Sequence, residues 1–73
     1  MPGEVAVWER RREIEEEVTR LETEIADYEG ALANFVSAAE TARVSRLLAA
    51  RRGDLEVLLV EWEEVGRVIE ANR

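Results

Sequence analysis

The sequence contains no cysteine, no histidine and no lysine, and each absence removes a class of function. Without cysteine there is no disulfide and no thiolate nucleophile, and without histidine the commonest general base and the usual zinc ligand are missing. The lack of lysine leaves any phosphate-binding loop of the G-x-x-x-x-G-K-[ST] type incomplete. We therefore expect a non-enzymatic chain with no catalytic residue, no bound metal and no cofactor.

Long apolar runs are also missing, since none approaches the ~20 residues that span a bilayer, and the N-terminus has no secretory signal pattern. Aromatic residues make up only 5% of the 73 residues, whereas charged residues make up 37%. This balance is typical of long, solvent-exposed helices. The formal net charge of −7 does not favour general attraction to nucleic acid. We expect one small soluble domain in the cytoplasm, with no membrane contact.

Apolar residues recur at the heptad spacing of a coiled coil in two long segments. Neither segment alternates with the period of two that marks a strand, so the sequence predicts an all-α chain with helices over about 4–33 and 38–71. The short loop between them forces the helices to be antiparallel neighbours. The core positions of this two-helix antiparallel coiled-coil hairpin are Ile14, Val18, Leu21, Ile25, Tyr28, Leu48, Leu55, Leu58, Trp62 and Val65.

The ends of the two helices carry their own signals. Ser37 and Glu40 match the S-x-x-E capping box, in which two backbone N–H groups at a helix start are satisfied. Asn34 suits a helix C-terminus in the left-handed backbone region. Pro2 is expected to precede the first helix and to interrupt nothing.

Two arginines, Arg11 and Arg51, occupy positions where the heptad pattern calls for apolar residues. Antiparallel pairing places Arg51 opposite Glu22 and Glu24, and it places Arg11 opposite acids of the second helix. We expect both guanidinium groups to reach these carboxylates, so that neither charge is left bare. The remaining carboxylates are best explained as solvated faces that make ion pairs along each helix, with divalent-cation binding as the alternative.

A cluster of arginines stands out in the second helix, at Arg43, Arg46, Arg51 and Arg52. Such a stripe can contact the phosphates of RNA or DNA, and we keep nucleic-acid binding as one hypothesis. The alternative is that these arginines pair with acids of the first helix. Aromatic residues for base stacking are not interleaved with them.

The stretch from 55 to 60 is apolar nearly all round its helix, which is more than a two-helix hairpin can bury. Val57 and Val60 are predicted to face away from the core, with Leu59 beside it. We interpret these three residues as a candidate protein interface. Its occupant is either a second copy of the chain, forming a homodimer, or another protein.

Three stretches of the chain carry a family resemblance. Residues 8–14, WERRREI, look like an aromatic-x-x-x-Arg-Glu-Leu opening of a first helix. Residues 21–25, LETEI, look like a Leu-Glu-x-Glu-Ile repeat, and residues 58–65, LLVEWEEV, look like a closing Trp-Glu-Glu-Leu signature. In these features the chain resembles the C-terminal coiled-coil domain of the ABC-F family ATPases, the Uup-like branch of soluble ABC proteins. The basic linker that usually precedes this domain is absent.

The resemblance implies that residues 1–73 form one coiled-coil domain from the C-terminus of a larger protein with two nucleotide-binding domains. It implies a non-catalytic accessory arm of an ABC transporter-type ATP-binding protein, with hydrolysis in the parent ATPase domains. The implied partners are those domains and the ribosome, RNA or DNA, in translation or on nucleic acid. A stand-alone dimerisation or protein-interaction module is the alternative.

Overall fold

The chain is described by a computed structural model that covers residues 2–34 and 37–72. Helix α1 spans Pro2–Ala33 and helix α2 spans Ala38–Ala71, and no strand occurs in these two ranges. The all-α helical hairpin is therefore confirmed. Helix α1 begins two residues earlier than expected, so the prediction that Pro2 precedes it is wrong. Proline is tolerated at the first helical position because the N–H that it lacks has no partner within the helix.

The two helices lie side by side in opposite directions. Arg10, early in α1, forms an ion pair with Glu61, late in α2, whereas Glu29, late in α1, pairs with Arg52 in the first half of α2. The molecule is a rod of 55 × 15 × 14 Å. We call the end where α1 finishes and α2 begins the tip, and the opposite end the open end. Neither helix is long and apolar enough, over its described residues, to cross a membrane.

The core is a narrow row of side chains between the helices. Ile14 is fully buried at 0% exposure, and Ile25, Val44 and Leu48 are also buried. The other predicted core residues are half-buried, and they are Val18, Leu21, Tyr28, Leu55, Leu58, Trp62 and Val65. A seam between only two helices leaves most of its residues with one edge in water.

Ser37 begins α2 as its N-cap. Its backbone is extended, and its hydroxyl oxygen accepts a hydrogen bond from the backbone N–H of Glu40 at 3.1 Å. One half of the predicted capping box is thus present. The other half is not formed, because the Glu40 carboxylate accepts a hydrogen bond from the Arg43 guanidinium at 3.1 Å instead.

The end of α1 is satisfied without a left-handed residue. The Asn34 side-chain amide donates to the carbonyl oxygen of Gly30 at 3.2 Å, and its backbone N–H donates to the carbonyl of Ala31 at 3.1 Å. No residue of the described ranges other than glycine has a positive φ. The prediction of a left-handed Asn34 is therefore wrong, since its side chain itself bonds a carbonyl that the left-handed turn would otherwise satisfy.

Candidate interaction surfaces

Near the open end, Arg11 lies between two tryptophans. Its guanidinium carbon is 4.8 Å from the centroid of the Trp62 ring and 5.7 Å from that of Trp8. Both distances fall within the ~6 Å range of cation–π attraction. Glu15 closes the group, because it forms an ion pair with Arg11 and accepts a hydrogen bond from the Trp62 indole N–H at 3.3 Å. We call these four residues the tryptophan–arginine cluster.

The predicted partner of Arg11 is thereby corrected. The sequence placed this arginine opposite acids of α2, but its ion pair is with Glu15, one turn along its own helix, at 4.0 Å. Across the seam it meets the flat face of Trp62. Trp8 is an exposed member of the cluster, with 51% of the residue accessible to solvent.

Next to this cluster, Arg10 ties the two helices together. Its Nε and Nη2 atoms donate to the two carboxylate oxygens of Glu61, each at 2.8 Å, in the two-pronged geometry that suits guanidinium and carboxylate. A further bond goes to Glu13 on the same helix at 3.2 Å. Hydrogen bonding to Glu61, and then to Glu13, raises the pKa of Arg10. Arg10 therefore links α1 to α2 through its ion pair with Glu61.

The four arginines of the proposed nucleic-acid stripe are not equally free. Three of them are engaged within the hairpin, in the pairs Arg43–Glu40, Arg51–Asp54 and Arg52–Glu29. Arg46 is exposed and has no ion-pair partner in the part of the chain that the structure describes. At three of the four positions a phosphate would compete with a carboxylate that already pairs with the arginine, in ion pairs that are exposed to solvent.

Arg51 departs from its predicted pairing as well. Its partner is Asp54, one turn along α2, at 3.3 Å, and its Nε atom is buried without a hydrogen bond to any described residue. The expected partner Glu24 is occupied otherwise, because it accepts a hydrogen bond from the Tyr28 hydroxyl at 3.0 Å. This bond raises the pKa of Tyr28, because it favours the protonated phenol, and burial and the Glu24 charge add to it.

The side of α2 that faces away from α1 is largely apolar. Its large residues are exposed, with 68% of Val57, 52% of Val60 and 46% of Val68 accessible. Leu59 is also exposed, at 43%. We call the full row the outer face of α2, and its members are Ala39, Ala42, Arg46, Ala50, Gly53, Val57, Val60, Glu64, Val68 and Ala71, all of them exposed.

Only two of the three residues predicted as an interface, Val57 and Val60, belong to this row, and the row is much longer than they indicate. Its members follow one another at steps of three or four residues, which places them on one side of the helix along its whole length. The row could be recognised in the sequence, but half of its members are alanine or glycine, which add little to the hydrophobicity of a helix face. The corresponding side of α1 offers no such stripe, because it carries charged residues such as Glu9, Arg12, Glu16 and Asp27.

The concave surfaces of the hairpin include open grooves along the seam. One of them is lined by Arg11, Trp62, Gly66 and Glu70. No set of three or more acidic side chains in the described ranges is arranged to hold a metal ion. The hairpin is therefore better suited to contact a macromolecule along its surface than to enclose a small ligand.

Comparison of the chain with protein-family models, with curated proteins and with solved structures gave no match.

Proposed function

We propose that this chain is a non-catalytic coiled-coil arm of an ABC-F type ATP-binding protein, and that it helps this protein dock on the ribosome or on nucleic acid. The observation that carries the proposal is the tryptophan–arginine cluster. The opening motif supplies Trp8, the closing motif supplies Trp62, and Arg11, at an unspecified position of the opening motif, lies within cation–π distance of both rings. Two signatures that are far apart in the sequence thus contribute to one packed unit, which supports a shared origin for them in a single type of domain.

The shape of the molecule supports a docking role. A rod 55 Å long with a cross-section of about 15 Å has reach and surface, whereas binding a small substrate requires a concave pocket that buries most of it. In this proposal the nucleotide is bound and hydrolysed by the parent ATPase domains. The arm contributes contact area only.

The charges and the exposed apolar residues favour contact with protein over direct contact with phosphate. Arg43, Arg51 and Arg52 are already paired with carboxylates, so an approaching phosphate gains little at these positions. The exposed valines of the outer face of α2 provide apolar surface, and its burial against another protein is favourable. Contact with a protein through this face would leave the ion pairs of the hairpin intact.

The family assignment is tested by the open reading frame that encodes the chain. We expect two nucleotide-binding domains upstream, each with a G-x-x-x-x-G-K-[ST] motif. A frame without them would remove the ABC-F assignment.

The docking role is tested in the intact ATPase by replacing residues 2–72 with an unrelated two-helix hairpin of equal length. Association with ribosomes, measured by co-sedimentation, should fall. A second variant that carries Glu16→Ala on the polar face of α1 serves as the matched control and should bind as the intact protein does. Unchanged association of the replacement variant would contradict the proposal.

A further inference from the structure

We infer that a second copy of this chain packs on the outer face of α2, with the two α2 helices side by side and antiparallel. The inference builds on the proposed role as an interaction arm and names one partner for it. It starts from the three valines Val57, Val60 and Val68, which lie exposed on one side of α2 while the opposite side of the same helix packs against α1. An exposed and largely apolar face along the whole length of a helix can receive a second helix.

The outer face is complementary to itself in one register. When two α2 helices are related by a twofold axis at the level of Leu55, each member of the row lies across from another member. The pairs are Gly53 with Val57, Ala50 with Val60, Arg46 with Glu64, Ala42 with Val68, and Ala39 with Ala71. The axis passes within one residue of the middle of α2, so that the helices overlap along roughly 48 Å, given ~1.5 Å per residue.

Side-chain sizes match across this register. Each exposed valine lies opposite an alanine or a glycine, so that the helices can approach closely and the large side chains fill the space left by the small ones. Gly53 fits this arrangement in particular. A Cβ atom at this position would meet nothing within 4 Å in the hairpin, so the hairpin itself does not require glycine there. Opposite Val57 of the second copy, the missing side chain leaves room.

Charges match as well. Arg46 and Glu64 are the only charged members of the row, both are exposed, and neither has an ion-pair partner within the described ranges. In the antiparallel register each Arg46 lies opposite the Glu64 of the other copy, and the dimer contains this pair twice. A parallel arrangement would bring the two Arg46 side chains together and the two Glu64 side chains together, so it is disfavoured. Two acids flank the axis: Asp54 forms an ion pair with Arg51 of its own helix, and Glu56 is exposed to solvent.

The inference is tested by a charge exchange on the full chain, with the dimer dissociation constant measured by analytical ultracentrifugation. We expect the unaltered chain to dimerise. Arg46→Glu and Glu64→Arg should each raise the dissociation constant by about tenfold or more, because each creates two like-charge contacts. The double variant R46E/E64R restores both pairs and should return the dissociation constant to within about threefold of the original.

Val57→Glu places a charge next to the axis and should leave the chain monomeric, whereas Val5→Glu, at another exposed valine, serves as its control and should leave dimerisation unchanged. Circular dichroism checks that all variants keep their helix content.

A strict monomer at high micromolar concentration overturns the inference, and so does a double exchange that fails to restore dimerisation. A monomer that still supports ribosome association of the ATPase overturns the dimer and leaves the docking role standing. Salt-dependent RNA binding that Arg46→Glu abolishes and the double variant does not restore, in a chain that stays monomeric, assigns Arg46 to nucleic acid and overturns the dimer.

Discussion

Tyr28 lies at the edge of the seam with its ring half-buried and its hydroxyl bonded to Glu24. Because the hydrogen bond requires the phenol proton, folding favours the protonated form and raises the pKa of Tyr28. Its contribution to stability is therefore complete below the ordinary pKa of tyrosine, near 10, and is lost as the pH rises through the raised value.

Since the chain contains one tyrosine, absorbance of the phenolate reports this group alone. We expect a titration midpoint above that of a free tyrosine. Glu24→Ala should lower the midpoint, and Glu22→Ala, at an exposed neighbour that is not bonded to the phenol, should lower it less. Equal midpoints in these two variants would contradict the assigned hydrogen bond.

The arginines show what a heptad pattern leaves undetermined at this scale. The pattern identified Arg11 and Arg51 as seam residues, but the partners it assigned to them were wrong. A long, flexible arginine side chain can form ion pairs of similar energy with several carboxylates. For both arginines, an acid one turn along the same helix is close enough to be the partner. The choice depends on side-chain rotamers and on competing bonds, such as the one that engages Glu24.

The helices themselves were predictable from the sequence, because hydrophobic periodicity and the Ser37 cap both indicate where they lie. The conformation at the helix termini was less predictable. At Asn34 a side-chain hydrogen bond replaces the left-handed turn, and at Pro2 the chain is already helical. A sequence motif does not show which of two such local conformations has the lower energy. The outer face of α2 was found only in part, since its alanines and its glycine are neutral in a hydrophobic pattern and gain meaning only from their position on the helix.

The start of α2 depends on Ser37, whose side chain satisfies a backbone N–H that has no partner within the helix. We expect Ser37→Ala to lower the free energy of unfolding by about 1 kcal/mol, as measured by urea denaturation. Ser45→Ala provides the control, because Ser45 is an exposed residue inside the same helix and alanine favours the helical state there. A loss of stability that is equal for the two variants would show that Ser37 does not act as a cap.

The rod as a whole depends on very few buried side chains, and Ile14 is the most completely buried of them. Ile14→Ala should cost about 2–5 kcal/mol, which approaches the whole stability of a chain of this size. Val57→Ala removes a similar apolar side chain from the outer face and should change the stability of the monomer by less than about 0.5 kcal/mol. Urea denaturation at low concentration, where the monomer prevails, compares the two. Similar losses would contradict the placement of the core.

Helix α2 packs against α1 on one side, and we infer that it packs against a second copy of the chain on the other. Cysteine crosslinking tests it directly, because the chain has no cysteine of its own. In the antiparallel register the variant A50C/V60C brings each new thiol next to one of the other copy, and mild oxidation should convert it to a covalent dimer. The variant A42C/V60C displaces the thiols by about 12 Å along the helix and should remain uncrosslinked. Equal crosslinking of the two variants, or none in either, would contradict the claim.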